Sequence, residues 1–150
     1  MTNKVLNFIF ICFFLGLSIS TPLFSQWESE TLGIGAGGSI ASDSTGDIHL
    51  YYLTGPYEGD LVYALRHEDQ WARDTIVRSG IVTQCEVVVD HDDKLHLAYV
   101  EADWYTNEFT LKYMSNGGAG WSTPEIITSN EPGIIALSMD VDLEAYQHVG

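Results

Sequence analysis

Residues 43–52 read DSTGDIHLYY, and residues 90–99 read DHDDKLHLAY. Asp43 aligns with Asp90, His49 with His96 and Tyr52 with Tyr99, each at a spacing of 47. The correspondence continues at a spacing of 50, pairing Leu61-Val62-Tyr63 with Leu111-Lys112-Tyr113, Trp71 with Trp121 and Ile76 with Ile126. The change of three falls between Tyr52 and Leu61, where the second copy has the longer loop. A third copy opens with Asp142 and His148, which keep the same Asp-x5-His spacing. A period of this size is that of one supersecondary unit. Such a unit cannot bury its apolar face alone, so the chain must stack several of them.

Within one copy the apolar runs are short, rich in β-branched and aromatic residues, and separated by turn residues, which predicts strands. Residues 39–42, 47–53, 61–66 and 71–77 are the four expected strands. Asp43-Ser-Thr-Gly46 is a turn, with the aspartate accepting from backbone N–H groups ahead and Gly46 free to take positive φ. The strands IHLYY and LHLAY are apolar on both faces apart from the histidine, as a sheet covered on both sides requires. The expected fold is therefore all-β, a β-propeller of four-stranded antiparallel blades. Trp27-x4-Leu32 repeats the fourth-strand pattern of Trp71-x4-Ile76 with no first three strands before it, so it reads as a closing strand. The chain then holds about two blades, that strand and the start of a third, where a ring needs about four to eight. Residues 26–150 are expected to be the N-terminal part of a truncated propeller that is six-bladed when complete.

Residues 1–25 carry one Lys, an apolar run (VLNFIFICFFLGLSI) and a small-residue region (SISTPLFSQ), the order of a secretory signal peptide. The run is shorter than the roughly 20 residues of a membrane span. Cleavage after Ser20 or Ser25 fits, with Ser25 preferred, so the protein is expected to be secreted or at the cell surface, without membrane insertion. The net charge is −15, and removing the leader leaves five basic residues against 21 acidic ones. So acidic a surface repels phosphate backbones, which excludes nucleic acid as a partner. Cys12 leaves with the leader. Cys85, in the apolar setting CEVVV, then has no disulfide partner and reads as a small buried hydrophobe.

With D-x-x-G-x-[IL]-H-[LV]-x-Y, then L-x-Y, then W-x4-I, the chain from about Trp27 onward resembles sialidase-like β-propellers built of bacterial neuraminidase-type repeats. The resemblance implies blade packing more than any one activity. A sialidase's S-x-D-x-G-x-T-W box is altered here: Ser42 and Asp43 are adjacent, Gly46 comes one residue late, no Thr-Trp follows, and Asp93 replaces the glycine in the second copy. A sialidase also implies an arginine cluster and a Tyr–Glu nucleophile pair. This chain has three arginines, and Arg66 and Arg73 fall on outer strands.

Antiparallel turns sort the loops onto two ends. The Asp43, Asp90 and Asp142 turns share one end, and the second-to-third-strand loops share the other, which in propellers lines the ligand funnel. The candidate ligand-binding residues lie there: Tyr57, Glu101, Asp103, Trp104 and Tyr105, with aromatics set among acids where a sugar ring or a partner chain can stack. Their alternative role is to anchor the loop against a neighbouring blade. Asp43, Gly46, His49, Trp71, Asp90, His96, Trp121, Asp142 and His148 are read as structural repeat positions. The histidines fall on successive blades, too far apart to share a metal. The acids Asp90, Asp92 and Asp93 lack the spacing and glycine of a calcium loop, so they read as a turn cap and no cofactor is expected. The paired acids Glu58 and Asp60, and Glu101 and Asp103, also suit glycosidase acid/base work if about 5–9.5 Å apart. The expected function is a non-catalytic module binding a neutral glycan or a protein; the alternative is a secreted glycoside hydrolase with catalytic residues partly outside this chain.

Overall fold

The computed structural model describes residues 29–32, 35–55, 59–78, 81–131, 133–134, 136–142 and 147–150. The chain divides into two compact units, Met1–Leu32 and Gly33–Gly150. In the first, residues 29–32 are described and belong to no strand. The expected leader 1–25, Trp27, Tyr57 and Glu58 lie outside the described residues.

The second unit is all-β. Strands β1 (Ala36–Ser42), β2 (Ile48–Leu53), β3 (Leu61–His67) and β4 (Gln70–Val77) form one antiparallel sheet in chain order. Strands β5 (Val82–Val89), β6 (Leu95–Asp103), β7 (Glu108–Asn116) and β8 (Glu125–Glu131) form a second, and β9 (Met139–Val141) pairs with β10 (Gln147–Val149). The two large sheets keep one register: Arg66 opposes Trp71 as Asn116 opposes Trp121, 50 residues on. They diverge after the tryptophan. Pro124 follows Trp121, where a proline cannot donate to a ladder, and β8 starts only at Glu125. Ile126 consequently points outward and is exposed, whereas Ile76 packs against the core.

The sheets stack face to face. On the first, Tyr51, Leu53 and Leu61 lie on one side of the pleat. They pack on Val87, Leu95, Leu97, Tyr99 and Met114 of the second sheet. The opposite face of the second sheet, through Ala98, Val100 and Leu111, packs on Met139 of the terminal hairpin. Strand β6 is therefore buried on both sides from Leu95 to Val100. Where the sheet edges meet, Val87 N–H donates to Ser39 Oγ at 3.0 Å, satisfying a buried donor that no strand reaches. Trp121 stands in the seam between sheets, edge-on to Tyr51 (5.8 Å, 87°) and to Tyr63 (6.2 Å, 81°). Trp71 and Trp121 are each half-buried rather than enclosed. Among the described residues, two sheets and a hairpin stack without closing on themselves.

Candidate functional site

At one end of the sheets, the repeated aspartates and histidines form a recurring constellation. Asp43 Oδ1 accepts from the N–H groups of Thr45 (2.9 Å) and Asp47 (3.0 Å), and Oδ2 meets His49 Nε2 at 3.3 Å. Asp90 Oδ1 accepts from Asp92 and Lys94 N–H, both at 2.9 Å, and Oδ2 meets His96 Nε2 at 2.9 Å. One carboxylate oxygen thus holds the turn and the other holds the ring. The second ring nitrogen faces a tyrosine: His49 Nδ1 lies 2.9 Å from Tyr63 Oη, and His96 Nδ1 2.6 Å from Tyr113 Oη. A ring that donates from Nε2 to the carboxylate is left with Nδ1 to accept the tyrosine O–H. The strand register accounts for the meeting. His49 opposes Leu65 and His96 opposes Ser115, so each tyrosine is the diagonal neighbour on the same face.

These groups hydrogen-bond one another. Burial pushes Tyr63 up to about 12, with the Asp43 and Asp47 charges adding to it, so its hydroxyl stays protonated. Burial alone would raise the Asp90 carboxyl. The hydrogen bonds from His96, Lys94 and Asp92 overcome this and hold it below its ordinary 3.8. Asp43 behaves alike, through Thr45, His49 and Asp47. In the third copy His148 Nε2 meets Asp142 Oδ2 at 3.2 Å in a far more open setting. The acids of the DHDD turn are likewise engaged: Asp93 accepts from Ser44 N–H (2.8 Å) and Ser44 O–H (2.5 Å) of the preceding repeat. Asp93 has φ 59° and Gly46, its counterpart, φ 88°, so an aspartate takes the left-handed position and uses it to reach across the seam. Among the described residues no three His, Cys, Asp or Glu side chains converge as metal ligands. A shallow cavity of about 410 Å³ beside these turns is lined by residues including Asp47, Arg66, His67 and Asp69. They pair with one another, His67 with Asp47 (2.8 Å) and Arg66 with Asp69 (2.7 Å). The His67 hydrogen bond to Asp47 raises its pKa.

At the other end, β6 and β7 extend beyond the first sheet's strands into a hairpin whose neck is the Asp103–Glu108 pair. Asp103 Oδ1 accepts from Tyr105 N–H (2.9 Å) and Thr106 N–H (3.3 Å), fixing the turn, and Asn107 closes it at φ 58°. Ala102 N–H donates to Ile81 O at 3.0 Å, tying the hairpin to the strand before it. Trp104 is half-exposed and leans edge-on against Phe109 (6.0 Å, 82°). Tyr105 is 102% exposed. Ile81, Ala102, Asp103, Trp104 and Tyr105 border a cavity of about 490 Å³. Glu101 does not join them. Its side chain turns into the seam between the sheets, where Lys112 Nζ bonds Oε2 at 2.5 Å. The structure therefore brings Asp103, Trp104 and Tyr105 together and sets Glu101 apart.

Sequence reasoning missed Tyr63, Tyr113, Lys112 and the Ser44–Asp93 clasp. The L-x-Y repeat was the signal available for the tyrosines. A scan against models of protein families returns no match for this chain, and a search among curated proteins returns none either.

Proposed function

We propose that the chain is part of an exported β-propeller that acts as a non-catalytic binding module, holding a glycan or protein ligand at the β6–β7 hairpin. The observation that carries this reading is Tyr105, wholly exposed at the tip of a turn whose backbone Asp103 fixes. An exposed aromatic on a rigid hairpin offers contact area at little entropic cost, because the loop is ordered before the ligand arrives. Glu101 is committed to Lys112 and Asp103 spends Oδ1 on the turn, so the two carboxylates of this loop are not paired with each other as an acid and a base. The propeller reading is supported by the stacking of successive sheets through equivalent faces and by the first sheet's outer face. Ile40, Leu50 and Tyr52 lie on that face, where a further blade would cover them. Among the described residues no helix is long and apolar enough to cross a membrane.

The test is a screen of the full chain on glycan and peptide arrays, repeated with Trp104→Ala and Tyr105→Ala. Binding lost in Tyr105→Ala, with the fold intact by circular dichroism, is the expected result. Binding that neither substitution alters, or hydrolysis of a glycoside that survives both, overturns it.

A further inference from the structure

The neck of the hairpin is acidic. Asp103 and Glu108 oppose each other directly across the neck, and both are exposed. Like charges set opposite in an antiparallel pair repel, so this pair is stabilised by any cation placed between them. Asp103 spends Oδ1 on the turn. Lys112, on the strand behind, is held in the seam by Glu101 and does not serve the tip. The chain as a whole carries a net charge of −15, which draws cations toward it and repels anions.

The tip of the hairpin is aromatic. Above the neck stand Tyr105, with both ring faces accessible, and half-exposed Trp104. Beneath them Ile81 and Ala102 give the cavity an apolar floor. A side chain that combines a cationic head with an aliphatic stem matches all three features. The stem lies on the apolar floor, the head stacks on an aromatic face, and the carboxylates answer its charge. A neutral sugar would use the aromatic face and donate its hydroxyls to the acids, but would leave their charge unanswered. Arginine fits better than lysine, because its planar guanidinium stacks on a ring and sheds water more readily.

We infer that the β6–β7 hairpin docks an arginine-bearing segment of a partner protein, the guanidinium lying over Tyr105 between Asp103 and Glu108. This rests on the reading of the hairpin as a binding site. The test titrates the full chain with a fluorescent Gly-Arg-Gly-Arg-Gly peptide, a Gly-Ser peptide of equal length and a neutral oligosaccharide, at low and at physiological salt. The arginine peptide is expected to bind, more weakly as salt rises. Tyr105→Ala should weaken it by about fivefold. Asp103→Asn, which keeps the oxygen that caps the turn, should weaken it by about threefold, and Glu68→Gln at the opposite end should not. Equal weakening by Asp103→Asn and Glu68→Gln would mean diffuse attraction to an acidic surface and overturn the proposal. Tyr105-dependent binding of the oligosaccharide but not of the arginine peptide would overturn the cationic class and leave the binding site standing. Tyr105-independent behaviour of every probe would overturn both.

Discussion

Strands β2 and β6 are written in nearly the same letters and live in different surroundings. Leu97 and Tyr99 of the second sheet are enclosed, while their counterparts Leu50 and Tyr52 are half-exposed. On the neighbouring strands, Val87 is 2% exposed and its counterpart Ile40 is 65% exposed. Among the described residues the second sheet packs on a neighbour at each face, and the first on a sheet at one face only. Burial in this fold is therefore set by the adjoining repeat. The alternation of a strand tells which residues share a face, and the neighbour decides whether that face meets water.

The sharpest way to break this comparison is to truncate equivalent residues. Leu97→Ala should cost about 3–4 kcal/mol, and Leu50→Ala about 1 kcal/mol, because only the first opens a closed core. Urea unfolding of the two variants measures the difference, and equal losses would mean that the outer face is covered after all. The histidines come next. Side-chain exposure is 1% for His96 and 66% for His148. His96→Ala strands a buried carboxylate and a tyrosine hydroxyl and should cost about 2–3 kcal/mol, whereas His148→Ala should stay within about 0.5 kcal/mol.

Acid titration sharpens the same contrast. Asp43 and Asp90 have folded pKa values below the ordinary 3.8, so their contribution is present above that value and is lost as pH falls through the lower folded one. The stability of the native chain should drop steeply below about pH 4, and Asp90→Asn should flatten part of that limb in urea midpoints taken across it. A limb unchanged by Asp90→Asn would assign the acid sensitivity to other carboxylates. The smallest effect is expected at the hairpin tip. Tyr105→Ala should leave the unfolding free energy within about 0.5 kcal/mol of the native value, since the ring touches solvent.

How much of this was legible in the letters varies by distance along the chain. The four strands of each sheet were readable, because turns punctuate them and β-branched residues fill them. Asp43 and Asp90 as turn caps were readable too, since cap and N–H groups lie within four residues. Contacts that depend on register were harder. Lys112 reaches Glu101 because β7 sets Lys112 opposite Tyr99, one diagonal step from Glu101, a relation no linear spacing displays. The Ser44–Asp93 clasp depends on the stagger between two sheets, which is more remote still. The half-burial of Trp71 and Trp121 was also hidden, because the letters mark the strand each sits on and not how far a neighbouring sheet covers it.

That clasp has a bearing on folding errors. Tandem units this similar invite strands of one copy to pair into another, a characteristic failure of repeat proteins. Asp93 grips Ser44 across the seam, but Gly46, at the same position one copy earlier, has no side chain with which to grip anything. The contact is directional and cannot be satisfied by exchanging the two units. A residue held in a backbone conformation that glycine would adopt more cheaply thus makes a contact that belongs to one order of the two copies and not to the reverse.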